Sequence, residues 1–266
     1  MVTRERSQAR EMIRLFSRAG ARVLLAPLVG FHAGSRAPLA ASARRVSAGR
    51  YAWVFFTSAN GVRFWNGAWR GAPNRSGQPP AKIAAVGRST EKALRRLGWK
   101  AHCVPGVSSA RALLRKWDRR SRAAPGQRVL LVQPESSLPG LARGLRLAGA
   151  RPERVIAYRT VRPRKIPGRL LPALRAKGVC RVALASPSAA RNLAWFLKRT
   201  RPPIPLRAVR TACIGPTTAA QARRLGFRVE AVAKRPSAQG LVQAVIAAVK
   251  KERDRLKDGP WPLVGR

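Results

Sequence analysis

Short unbroken apolar runs alternate along this chain with longer stretches whose apolar residues recur every three or four positions. The runs, such as 52–56 (AWVFF) and 128–132 (RVLLV), read as parallel strands covered on both faces. The longer stretches read as helices with one buried face: Met12, Leu15 and Phe16 lie together within 7–19, and Gly20 stops that helix. In order, the pattern predicts a strand end at Val2, that helix, a strand at 22–26, a short helix near 39–46, the strand at 52–56 and a helix to 69. A strand-helix-strand stretch at 82–104, a helix at 109–118, the strand at 128–132, a helix at 138–148 and a strand at 154–158 follow. The remainder predicts a helix at 170–177, a strand at 181–185, a helix to 197, a second strand-helix-strand stretch at 211–232 and a last helix from 237. Strands alternating with helices predict an α/β protein built on parallel sheets. The strand at Val2 is shorter than the usual length of about five residues, so the natural start is expected several codons upstream.

Two of these stretches are one pattern written twice. Residues 83–104 (IAAVGRSTEKALRRLGWKAHCV) and 211–232 (TACIGPTTAAQARRLGFRVEAV) coincide at Gly87/Gly215, Thr90/Thr218, Arg95/Arg223, Leu97/Leu225 and Gly98/Gly226, always 128 positions apart. At the same offset 52–65 lies over 180–193, and Ser58 falls on Ser186. A repeat of this size decides the architecture before any single element does. It predicts two similar parallel-sheet α/β domains, flavodoxin- or Rossmann-like, arising by internal duplication. Residues 30–42 read as loop-like with the first linker at 34–37, and the Pro-rich, basic stretch 161–167 reads as the second. Residues from 170 onward lack a leading β-α-β, which 1–29 can supply, while 128–158 complete the middle segment. The expected domains are therefore 1–33 with 168–255, and 38–160, joined by a two-stranded linker with a cleft between them and a tail at 256–266.

Composition changes this picture in one respect. Cys103, Cys180 and Cys213 are odd in number, far apart and set in or beside apolar runs, which predicts buried thiols in a reducing cytoplasm. The chain has no apolar run of about 18 residues, so no membrane partner is expected. The N-terminus lacks the apolar segment of a secretory signal, which again predicts a cytoplasmic protein. Charge is the anomaly: 55 Lys and Arg stand against 10 Asp and Glu, a net +45. That excess fits either a general surface property of an arginine-rich composition or a polyanionic partner. Nucleic acid is not the expected partner. It calls for aromatics interleaved with basic groups on one face, and Trp65 and Trp69 occupy helix-core positions.

Candidate chemistry lies beyond the carboxyl ends of the strands, where open parallel sheets bind ligands. The turns there hold Thr3-Arg4, Ser58 and Asn60, Gly87 with Ser89 and Thr90, Gln133 to Ser136, Ser186 and Ser188, and Gly215 with Thr217 and Thr218. Glycines, hydroxyls and helix N-termini together cradle carboxylates and phosphates. Any one of these turns is explained by helix capping alone; as a set they point to anion binding. The sequence has no paired carboxylates, H-E-x-x-H, G-x-S-x-G or Walker motif, so metal, flavin and nicotinamide chemistry is disfavoured. His32 and His102 read as structural or solvated. Tyr158 ends a strand beside the second linker, either as a proton donor or as a packing residue.

The motifs VTR (2–4), AGARVLLAP (19–27), VFFTSANGV (54–62), IAAVG with Thr90, VIAYRT (155–160), ASPSA (185–189), CIGPTTA (213–219) and Gly240-Leu241 stand in an order that resembles the uroporphyrinogen-III synthases. The resemblance implies two α/β domains and a reaction without cofactor. It implies a linear tetrapyrrole substrate with eight carboxylates, hydroxymethylbilane, which loses water and closes to uroporphyrinogen III with its last ring inverted. The matched Tyr-Arg-Thr position implies Tyr158 as the acid that helps hydroxide leave. The matched turns imply Thr3, Arg4, Ser58, Gly87, Thr90, Ser186, Gly215, Thr217 and Thr218 as substrate-binding residues, with Asn60, Ser89 and Ser188 added from the same turns. The sequence departs from the family in reading Thr-Arg-Glu at 3–5, where Thr-Arg-Pro is common, and in its +45 charge, which eight carboxylates do not explain. A monomer is expected. The competing reading is a non-catalytic cleft protein that binds an acidic small molecule.

Overall fold

The computed structural model describes residues 1–73, 77–121, 126–176 and 181–257; Cys180 and the tail from 258 lie outside the described residues. In chain order come α1 (Arg6–Arg18), β1 (Gly30–Ala33), α2 (Arg36–Ser47), β2 (Trp53–Phe56), α3 (Ala59–Trp69), β3 (Lys82–Ala85) and α4 (Arg88–Arg95). They are followed by α5 (Ala110–Ser121), β4 (Arg128–Pro134), α6 (Gly140–Leu147) and β5 (Arg151–Val161). The last part holds α7 (Leu170–Arg175), β6 (Val182–Leu184), α8 (Pro187–Lys198), β7 (Arg210–Cys213), α9 (Pro216–Leu225), β8 (Arg228–Val232) and α10 (Ala238–Lys257). The chain forms two compact units: a continuous one, Phe31–Thr160, and a split one, Met1–Gly30 with Val161–Arg266.

In the continuous unit the strands run in the order β1-β5-β4-β2-β3. β2 pairs in parallel with β3 and β4, and β4 in parallel with β5. Successive strand side chains point to opposite faces, so the apolar runs feed two layers at once. Val54, Phe56, Ile83, Leu130 and Val132 pack with Trp65, Trp69 and Trp99 on one face. Trp53, Phe55, Val129 and Leu131 pack with Leu113, Trp117, Leu141 and Leu145 on the other. The Trp65 and Trp69 rings stack 5.5 Å apart, and Phe56 meets Trp65 edge-on at 5.6 Å. Such pairs each add about 0.5–1.5 kcal/mol to what area burial contributes.

In the split unit β6, β7 and β8 form a parallel sheet in that order. Val2 extends it through isolated parallel bridges to Ala183 and Leu25. The registers of the two sheets correspond. Phe55 faces Ala84, which faces Cys103; 128 positions later Ala183 faces Ala212, which faces Ala231. Likewise Leu131 lies between Phe55 and Arg154, as Val2 lies between Ala183 and Leu25. Met12, Phe16, Leu241 and Val242 cover one face of this sheet. At its lower end Arg181 is buried, its side chain 5 % exposed, and forms ion pairs with Glu230 at 2.9 Å and Glu252 at 2.6 Å.

Four expectations change. The strands expected at 22–26 and 101–104 are reduced to single bridges at Leu25 and Cys103, each with one partner residue and, among the described residues, no second strand beyond it. The stretch expected as a loop before the first linker contains β1, which lies beside β5 at the sheet edge, where Gly34 N–H donates to Ala157 O at 2.9 Å. β5 runs from Arg151 to Val161 and not only over 154–158, since it is paired on both sides and its Glu153 is held by Arg45 at 2.7 Å and Arg128 at 2.9 Å. Of the expected linker 34–37, Arg36 and Ala37 open α2. His102 is structural: its Nδ1 accepts Ile83 N–H at 3.0 Å. Cys103 and Cys213 are buried, and burial pushes the Cys213 thiol up to about 11.

Candidate active site

Because β2, β3, β4 and β5 are parallel, the turns after β2 and β3 and the end of β5 lie on one edge of the continuous unit. After β2 the backbone stays extended at Ser58, whose Oγ caps α3 by accepting Gly61 N–H at 2.9 Å. The same Oγ accepts the Tyr158 hydroxyl at 3.1 Å. A serine oxygen has two lone pairs and one proton, so these bonds leave the Ser58 proton available to a further acceptor. Tyr158 is 6 % exposed. Its ring is stacked on Phe64 at 5.6 Å and met edge-on by Phe31 at 5.5 Å. Asn60 is buried in the first turn of α3.

After β3, Gly87 is the extended N-cap of α4 and offers no capping side chain. A Cβ there would stand 2.0 Å from Ser108 Oγ, so the close approach of the 108 loop requires glycine. Three residues on, Thr90 is 1 % exposed and its Oγ1 has no hydrogen-bond partner among the described residues. A buried hydroxyl in that state costs roughly 1–3 kcal/mol. Ser89 is exposed on the same turn.

The corresponding edge of the split unit repeats these turns with different surroundings. Ser186 is extended and accepts Ala189 N–H at 3.1 Å, as Ser58 does for α3. Ser188 accepts a bond from Arg191 at 2.9 Å. Gly215 is the extended N-cap of α9, Thr217 is exposed and Thr218 is buried. A Cβ on Gly215 would meet nothing closer than Pro236 Cβ at 3.7 Å. Thr3 is buried and donates to Ala183 O at 2.8 Å, which ties the Val2 strand to β6. Arg4 is half-buried, and burial holds its pKa below the ordinary value against the pull of Glu11.

Thus Ser58, Asn60, Gly87, Ser89, Thr90 and Tyr158 share one edge, and Thr3, Arg4, Ser186, Ser188, Gly215, Thr217 and Thr218 share the matching edge of the other unit. Sequence reasoning missed Phe31 and Phe64, which fix the tyrosine ring. Phe64 lies one turn beyond Asn60 on α3, a spacing that could have been noticed; Phe31 lay in a stretch read as loop. It also missed Ser237, which accepts Gly240 N–H at 3.0 Å beside a groove of about 630 Å³ lined by Lys234, Arg235 and Gln239. A Cβ at Gly240 would fall 2.2 Å from Arg235 O, and the glycine is the signal that marks this turn. Among the described residues no cluster of three His, Cys, Asp or Glu could hold a metal ion.

The sequence matches the family described as uroporphyrinogen-III synthase HemD over residues 10–243. It is 26% identical over 259 residues to the chloroplastic uroporphyrinogen-III synthase of Oryza sativa subsp. japonica, covering 94% of this chain and 80% of that protein. It is 27% identical over 197 residues to the uroporphyrinogen-III synthase of Synechococcus elongatus, covering 73% of this chain and 74% of that protein. The fold is similar to the crystal structure of a mutant uroporphyrinogen III synthase from Thermus thermophilus, with a TM-score of 0.58 at 22% identity over 94% of this chain and 98% of that one. It is also similar to uroporphyrinogen-III synthetase from Helicobacter pylori, with a TM-score of 0.58 at 15% identity over 86% of this chain and 95% of that one.

Proposed function

The chain belongs to the uroporphyrinogen-III synthase family and is an enzyme of tetrapyrrole biosynthesis, and from that premise we propose how its own residues carry the reaction. The substrate is hydroxymethylbilane. Each unit offers its own strand-end turns to carboxylates: the uncapped start of α4 with the Thr90 hydroxyl in the continuous one, and the start of α9 with Thr217 and Thr218 and the desolvated Arg4 guanidinium in the split one. Helix N-termini with free N–H groups favour such anions, and a bound carboxylate gives the Thr90 proton the acceptor it otherwise lacks.

Tyr158 is the acid. The hydroxymethyl C–O bond breaks with its electron pair on oxygen, which takes the phenol proton and leaves as water. In that step the phenol proton, donated to Ser58 Oγ in the free protein, is turned to the leaving oxygen, and Ser58 turns its own proton to the phenolate formed. The carbocation left on the substrate is reactive without further help, so the enzyme contributes chiefly by holding the chain folded with the right carbons in contact, plus general acid assistance. Phe31 and Phe64 keep the phenol in place while the carboxylate-binding turns decide which ring closes on which carbon. Internal duplication explains why both units carry these turns. On this reading the protein acts as a monomer in the cytoplasm, which light scattering checks by returning the mass of one chain.

The observation that carries the proposal is the Tyr158–Ser58 hydroxyl pair at 3.1 Å, on the same edge as an uncapped helix start with an unsatisfied buried hydroxyl. The test is incubation of the purified chain with hydroxymethylbilane and chromatographic separation of the isomers. Type III is expected; type I alone, the product formed without enzyme, would refute the reading and leave an acid-binding protein.

A further inference from the structure

Between Glu153 and Glu230 the chain carries eighteen Lys and Arg and no Asp or Glu. The structure gathers part of this charge on one helix face. Arg191, Trp195 and Lys198 on α8 and Arg199 at its C-cap are exposed and spaced as neighbours along one side of it. Leu193, Ala194 and Leu197 turn the opposite side into the core. The Trp195 indole is 37 % exposed, and two guanidiniums lie over it, Arg162 at 4.0 Å and Arg199 at 4.2 Å from the ring centre. Among the described residues neither arginine is paired with a carboxylate.

This arrangement meets the requirement by which the sequence set nucleic acid aside. Trp65 and Trp69 are indeed core residues, but Trp195 is an exposed aromatic among basic groups. We propose that this face of α8, with Arg162, binds the sugar-phosphate backbone of single-stranded nucleic acid. Arg199 donates from Nη1 to Trp195 O at 3.5 Å, and no such bond holds Arg162 among the described residues; a planar guanidinium fork matches a phosphate. A base that displaces one guanidinium from the ring stacks on the indole in its place, and the freed arginine reaches the adjoining phosphate. Sequence-tolerant single-strand binding rests on this combination of stacking and backbone charge. A membrane surface fits less well, since Trp195 is the only large exposed apolar side chain on α8.

Fluorescence anisotropy of the full chain with labelled oligothymidylate, over a salt series, tests this. Binding should weaken steeply with salt. Arg162→Ala with Arg199→Ala should flatten the log–log salt slope by roughly 1.4, about 0.7 for each phosphate no longer neutralised. Trp195→Ala should weaken binding roughly tenfold. The pair Arg111→Ala with Arg115→Ala on α5 removes the same charge elsewhere and should change affinity less than about twofold, which controls for counterion release. Circular dichroism and turnover of hydroxymethylbilane verify that each variant is folded. The proposal is overturned if the α5 pair costs as much as the α8 pair, if Trp195→Ala binds undiminished, or if phosphatidylserine vesicles bind with the Trp195 dependence and the oligonucleotide does not.

Discussion

The two units end matching strands in matching turns, yet among the described residues only one of them sets a tyrosine hydroxyl against its capping serine. Ser58 and Ser186 cap their helices in the same way, and Gly87 and Gly215 begin theirs with the same extended backbone. Four residues beyond Arg154 the continuous unit has Tyr158; four beyond the corresponding Leu25 the split unit has the buried Val29. The serine that caps α3 therefore also holds a phenol, while no tyrosine reaches its counterpart on α8. Anion binding needs only backbone N–H groups, glycine and hydroxyls, and both halves keep these. Acid catalysis needs one proton donor, and Tyr158 in the continuous unit is the one proposed. On that proposal holding and chemistry are separable in this molecule.

The sharpest way to break that comparison is Tyr158→Phe, which removes the proton and keeps the ring between Phe31 and Phe64. Turnover should fall roughly 100-fold or more with the melting temperature nearly unchanged, whereas Val29→Ala should leave turnover intact once folding is verified. Next in size is the contrast between the glycines. Gly87→Ala drives a methyl into Ser108 and should cost about 1–3 kcal/mol in urea unfolding, the usual range for overpacking, and raise KM. Gly215→Ala meets only ordinary contact and should do neither. Ser58→Ala and Ser186→Ala should each cost about 1 kcal/mol as lost caps. Only Ser58→Ala should also lower kcat, roughly tenfold, by releasing the phenol from its position.

The smallest effect concerns acid. Hydrogen bonds from Arg210 and Arg181 hold Glu252 down to about 2, well below its ordinary 4.5. A carboxylate depressed in the folded state stabilises above its unfolded pKa, and that stabilisation is lost as protons return. The melting temperature should therefore decline between about pH 4.5 and 2, and Glu252→Gln should flatten that decline in a titration followed by circular dichroism.

Much of this was legible in the chain because strand-end turns are local. The Ser, Gly and Thr at 58, 87 and 90 announce helix starts whatever the rest of the sheet does, and their recurrence at 186, 215 and 218 shows that two sheets are present. Edge pairing is not local. β1 has Gly and His in four residues and is a strand only because β5 lies beside it, so Phe31, carried on β1, could not be foreseen as a wall for Tyr158. The buried Arg181, with its two carboxylate partners 49 and 71 residues away, is equally non-local. Trp195 is a different case. It sits two positions from Leu193 and from Leu197, opposite the buried stripe of α8, and its exposure follows from helical geometry; the apolar identity of tryptophan masked it.

The central claim is that the carboxylate-binding turns choose the isomer while Tyr158 sets the rate. The most direct test is the isomer made by Tyr158→Phe with enzyme in excess over hydroxymethylbilane, so that every substrate molecule is bound. Slow conversion to type III is the predicted result. Type I from the bound substrate would show that the tyrosine itself directs the closure, and would contradict the division of labour between the turns and the tyrosine.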